Sequence, residues 1–170
     1  MKLGYRYGRI IVLVILSILA GGLRGDITGF SMYFGAGLLV AAFLSLIYLF
    51  VNFDKSLDEK LLMEMILDGF SGLIIFTYPH SDNTFFIVVF SFWIALMGIF
   101  MLSAGLFSEK NKEDLWFYVL LGLVMIVSGF SIMHVTEESQ GVTGYFISFI
   151  TFIYACAACR LLWKKKSDIY

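Results

Sequence analysis

The sequence predicts an all-α membrane protein of six transmembrane helices, arranged as three helical hairpins with both chain ends in the cytoplasm. Three observations lead there: an apolar excess, six segments of bilayer-crossing length, and positive charge gathered on one side. Of the 170 residues, 60% are hydrophobic and 15% charged, and the mean hydropathy is +0.90. Soluble domains average about 45–50% apolar and 25% charged, so the surplus must face lipid. A net charge of −1 excludes the basic footprint of a nucleic-acid binder. Two cysteines are too few for a disulfide framework.

The apolar segments are 7–23, 29–51, 61–78, 84–107, 115–133 and 142–163. Each is close to the ~20 residues needed to cross ~30 Å of hydrocarbon at 1.5 Å per residue. A backbone in lipid has to satisfy its own hydrogen bonds, which selects helices. The first segment also has the form of a signal peptide: Lys2, Arg6 and Arg9, then Ile10 to Leu19, then Ala20, Gly21 and Gly22. Removing it would leave five spans and break the periodicity of the chain, so a retained helix is expected.

Orientation follows from the basic residues. Lys2, Arg6 and Arg9 lie at the N-terminus, Lys55 and Lys60 in the second loop, and Lys110 and Lys112 in the fourth. Arg160, Lys164, Lys165 and Lys166 lie at the C-terminal end, whereas the first, third and fifth loops hold only Arg24. Trp116 and Trp163 fall at the predicted cytoplasmic boundary, where an aromatic belt belongs. Outer turns near Gly25, Ser81 and Glu137, and inner turns near Lys55 and Lys110, recur at roughly 55 residues, one hairpin per unit. The hairpins are about 7–51, 61–107 and 115–163, within a single domain spanning 1–170. Units of two spans share one orientation, which relates them by an axis along the membrane normal in a parallel repeat.

Lipid tails are as apolar as leucine, so helices associate through close contact at small residues and through a few polar groups. Gly69 and Gly72, Gly122 and Gly129, the run Gly35-Ala36-Gly37, and Gly98 and Gly105 are the expected contact points.

The stretch Asp68-Gly69-Phe70-Ser71-Gly72-Leu73-Ile74-Ile75 runs to Tyr78-Pro79 and a short polar turn, then to an apolar helix with Trp93 and Gly98. This layout resembles the hairpin unit of the HdeD-like acid-resistance membrane proteins, a family of short repeats. Leu121-Gly122 through Ser128-Gly129 to His134 resembles a second, weaker copy. The resemblance covers residues 60–163, and the first hairpin by topology. It implies six helices in the cytoplasmic membrane of a prokaryote and a link to acid or envelope stress. It supplies no catalytic residue and no cofactor.

Glu64 and Asp68 are four apart on the third helix and share a face. A carboxylate near mid-bilayer costs about 2.5–3.5 kcal/mol on insertion scales, so Asp68 should face protein or water. One reading makes the pair an intramembrane proton or ion site open to the cytoplasm, the core of a small transporter or channel with Ser71 nearby. The other is structural: Glu64 reaches outwards while Asp68 caps a neighbouring helix or pairs with Arg160, at similar depth on the sixth helix. The outer turns gather His80 and His134 with Asp82, Glu137 and Glu138, a candidate external pH sensor because histidine titrates near 6.5; the plain alternative is ordinary polar turns. No tight ligand spacing points to a metal. Cys156-Ala157-Ala158-Cys159 spells CxxC, but inside an alanine-rich helix it reads as small-residue packing. No Walker loop, nucleophile–base pair or zinc-protease motif is present, and no enzyme or cofactor is expected. The expected partners are the bilayer and other membrane subunits, as a homo-oligomer or an accessory of a larger complex.

Overall fold

The computed structural model describes residues 4–23, 27–51, 59–78, 83–107, 114–134 and 140–167. All of its secondary structure there is helical: α1 (Gly4–Gly22), α2 (Ile27–Val51), α3 (Glu59–Thr77), α4 (Asn83–Phe107), α5 (Leu115–Met133) and α6 (Gln140–Ser167). The boundaries agree with the sequence-based ones to within a few residues. Four helices are long and apolar enough to cross a membrane, through Gly29–Val51, Asn83–Phe107, Leu115–Met133 and Val142–Trp163. Of the other two, α1 carries Arg6 and Arg9 near its start and α3 carries Lys60, Glu64 and Asp68.

Helix contacts run in chain order and return from α6 to α1, closing a ring. Packing is tightest between α4 and α5, then between α2 and α3, whereas α5 and α6 barely touch. The tight seams are built on small residues. A Cβ at Gly98 would stand 2.7 Å from the Gly122 carbonyl oxygen, and one at Gly122 2.8 Å from that of Gly98. A Cβ at Gly129 would stand 2.7 Å from the Ser91 carbonyl oxygen, and one at Gly72 3.0 Å from that of Gly35. These backbones touch, so only hydrogen fits between them. At the α1·α6 seam two serines bond reciprocally: Ser17 Oγ donates to the Ser148 carbonyl at 2.8 Å, and Ser148 Oγ to the Ser17 carbonyl at 2.7 Å.

Each helix turns one apolar stripe inward and another outward. On α1 the inward stripe is Arg9, Leu13, Leu16 and Ala20, at helical spacing, while Ile11, Ile15 and Ile18 are exposed. Phe43 and Phe50 on α2, Phe70 and Leu73 on α3, Phe92 on α4, Leu120 and Val127 on α5, and Phe149 on α6 are likewise exposed. Soluble monomers rarely expose apolar surface on this scale. Inside, an aromatic column fills the gap between α2 and α4. Phe34 meets Phe90 at 5.3 Å and Trp93 at 5.7 Å between ring centroids, both edge to face, and Trp93 meets Tyr154 in the same way at 6.0 Å. This column fixes Trp93 and Tyr154, whose polar ends reach the site.

Candidate functional site

Glu64 and Asp68 lie one turn apart on the inward face of α3, buried as the cost of an exposed carboxylate in lipid requires. Asp68 is completely buried. Its Oδ2 accepts from Arg9 Nε at 2.8 Å, and its Oδ1 from the indole Nε1 of Trp93 at 2.9 Å. Glu64 Oε2 accepts from Arg9 Nη1 at 3.2 Å, and Oε1 from the Tyr154 hydroxyl at 2.9 Å. Lys60 Nζ stands 3.4 Å from the same Oε1, one turn away along α3. Arg9 spends its remaining edge on Tyr154, donating from Nη2 to the hydroxyl oxygen at 3.2 Å.

The cluster therefore draws on α1, α3, α4 and α6. Two cations face two carboxylates, and every carboxylate oxygen has a donor. Lys60 alone reaches the surface, with a quarter of its side chain exposed, and it also donates to Met101 Sδ at 3.3 Å. A buried ion pair is tolerated when further hydrogen bonds engage its atoms, and here each nitrogen of Arg9 and each carboxylate oxygen has an internal partner. Chemically it is a closed network, with each acceptor oxygen held by an internal donor.

Arg160 is not part of it. Its guanidinium lies exposed over the Phe117 ring, 4.3 Å from the centroid, so the cation paired with Asp68 is Arg9 of α1. Depth along a helix and direction around it are independent, and Arg160 points outwards. Asp68 caps no helix either; both its oxygens are taken by side chains. Arg9 and Trp93 as partners of Asp68, and Tyr154 as a partner of Glu64, escaped the sequence reading. One signal for Arg9 was available, since it precedes Glu64 by 55 positions, the interval at which the turns recur.

Of the outer-turn candidates, His134 is exposed at the end of α5. His80, Asp82, Glu137 and Glu138 lie outside the described residues. Cys156 is exposed and Cys159 half-buried, both as free thiols. Among the described residues no group of three or more His, Cys, Asp or Glu could hold a metal ion.

Long apolar helices, outward-facing aromatic and aliphatic side chains, and charges turned inward to one another define a helical membrane protein. Residues 66–134, from the second half of α3 through α5, match the model of the family described as a short repeat of unknown function (DUF308), which is the HdeD-like group. The resemblance read from Asp68 to Ile75 and from Leu121 to Gly129 thus holds, over a shorter stretch than 60–163. No curated protein and no solved structure matches the chain.

Proposed function

We propose that the chain is a non-enzymatic protein of a prokaryotic cytoplasmic membrane that crosses the bilayer six times, with both termini inside, and contributes to acid or envelope stress tolerance. The observation that carries the non-transporting reading is the engagement of Glu64 and Asp68 by Arg9, Lys60, Trp93 and Tyr154. A transport site has to exchange its ligand, and a buried carboxylate with each oxygen engaged by an internal donor offers less to a passing ion.

α1 and α3, outside the set of four long apolar helices, support six crossings through their outer faces. These are as apolar as those of the other four, with Ile11, Ile15 and Ile18 on α1 and Phe70 and Leu73 on α3. Of their charges, Arg9, Lys60, Glu64 and Asp68 point at one another, and Arg6 lies over the Tyr48 ring.

A parallel three-hairpin repeat is supported by the seams. Gly35 against Gly72, Ser91 against Gly129 and Ser148 against Ser17 are three contacts of one kind, each between a carbonyl and a small residue. The partners on α2, α4 and α6 are 56 and 57 positions apart, and those on α1, α3 and α5 are 55 and 57 apart. The same offsets relate the buried residues Leu13, Asp68 and Met125, and Arg9, Glu64 and Leu121. In this reading the ion pair joins equivalent positions of the first two hairpins, and the third supplies leucine.

Proton uptake into proteoliposomes tests the site. The proposal expects wild type and Asp68→Asn to match empty vesicles; solute-driven flux abolished by Asp68→Asn would replace it with the transporter reading. Survival of a deletion strain under acid challenge, with rescue by the wild-type gene, tests the physiological part.

A further inference from the structure

The cluster around Arg9 takes up the buried charge of the bundle, but Arg160 lies on its exposed face. Arg160 sits in the spanning stretch Val142–Trp163 of α6 and is exposed. Its described contact is the Phe117 ring of α5, and among the described residues no carboxylate pairs with it. Stacking on a ring holds the guanidinium plane and leaves its five N–H donors free at the edge. An uncompensated guanidinium on the lipid side of a spanning helix is costly unless an anion meets it.

The surroundings select the anion. Trp163 follows Arg160 by three residues, so the two share a face of α6. Trp116 adjoins Phe117 on α5. The two indoles are 84% (Trp116) and 72% (Trp163) exposed, and their N–H groups donate to no described residue. Tryptophan at such positions marks the headgroup level. α5 and α6 barely touch, and both present apolar side chains outward, Leu120 and Val127 on one and Phe149 and Phe152 on the other. A phosphate with acyl chains attached satisfies all of this; a free anion uses only the top of it. Basic pockets between spanning helices bind anionic lipid headgroups elsewhere. We infer that the lipid-facing surface where Arg160 of α6 lies over Phe117 of α5 binds the phosphate of an anionic phospholipid, with Arg160 as its principal donor and the exposed Trp116 and Trp163 at headgroup level. The inference rests on the membrane reading and is independent of stress tolerance.

The full-length chain in nanodiscs of phosphatidylcholine, with and without phosphatidylglycerol, provides the test, read as retained lipid by native mass spectrometry. Wild type should keep phosphatidylglycerol selectively. Arg160→Gln should lower its retention about tenfold, the loss expected for charge-assisted hydrogen bonds to phosphate, while Arg160→Lys should recover part of it. Replacing Lys164, Lys165 and Lys166 together with Gln should cost less and mainly at low salt. Retention unchanged in Arg160→Gln, or equal competition by millimolar inorganic phosphate, would overturn the assignment. Failure of the chain to enter nanodiscs would instead strike the membrane reading.

Discussion

Where α4 meets α5, backbone lies against backbone with hydrogens between them; where α1 faces α3, a guanidinium and two carboxylates fill the space. At the first contact Gly98 and Gly122 bring carbonyls to within a Cβ's radius of the partner helix. At the second, Arg9 reaches across to Glu64 and Asp68 and is steadied by Tyr154. Both hold helices together where the hydrophobic effect gives no preference between lipid and protein. They differ in how they fail. A glycine seam loses dispersion contacts in proportion to the separation imposed on it, whereas an ion cluster deprived of one partner strands charge in a medium that cannot solvate it.

The comparison breaks hardest at Arg9. Arg9→Ala leaves two buried carboxylates with one cation, and we expect a loss of about 3–5 kcal/mol, the usual cost of orphaning a buried pair. Unfolding in mixed micelles, followed by helical circular dichroism against SDS fraction, measures it. Replacing the whole network, as Arg9→Leu, Lys60→Met, Glu64→Leu and Asp68→Met with Trp93→Phe and Tyr154→Phe, removes the orphans along with the pairs. That variant should equal wild type or exceed it by about 1–4 kcal/mol; a large loss would mean that the cluster contributes far more than its own solvation. Gly98→Leu should cost about 1–3 kcal/mol, the range for overpacking, with disruption confined to the α4·α5 seam. Trp93→Phe keeps the aromatic column and deletes the donor to Asp68, for an expected loss of about 1.5–3 kcal/mol at the upper end of hydrogen bonds to charged groups. Ser148→Ala should be the mildest, near 0.6 kcal/mol, the average measured for hydrogen bonds between membrane helices. A ranking with Ser148→Ala above Arg9→Ala would reverse the contrast between the two kinds of contact.

The elements of the fold were legible because apolar length is a property of the chain alone. Helix ends fall where loops carry charge and turn residues, and the glycines singled out for close packing at 35, 72, 98, 122 and 129 stand at backbone contacts. Gly69 is an exception of degree, since a Cβ there would meet Ala42 at an ordinary 3.5 Å. The inward burial of Asp68 was legible from solvation cost. Its partner was not, because which cation lies opposite depends on the rotation of α1 and α6 about their own axes. Arg9 looked like one more charge of the N-terminal cluster, and Arg160 looked well placed by depth. Only the packed ring turns Arg9 inward with Leu13 and Leu16 and sends Arg160 outward. Trp93 was visible as a mark of the family resemblance, and its indole as a donor to Asp68 was not.

The closed cluster has a consequence for how the chain is made. α3 carries Lys60, Glu64 and Asp68 and is a poor passenger into hydrocarbon by itself. Its neutralising partner, Arg9, leaves the ribosome more than fifty residues earlier. If the chain crosses six times as proposed, α3 is best inserted together with α1, whose Arg9 neutralises it. Damage at Arg9 will then register first as nascent chains stalled or degraded during synthesis, before any finished molecule has had the chance to unfold.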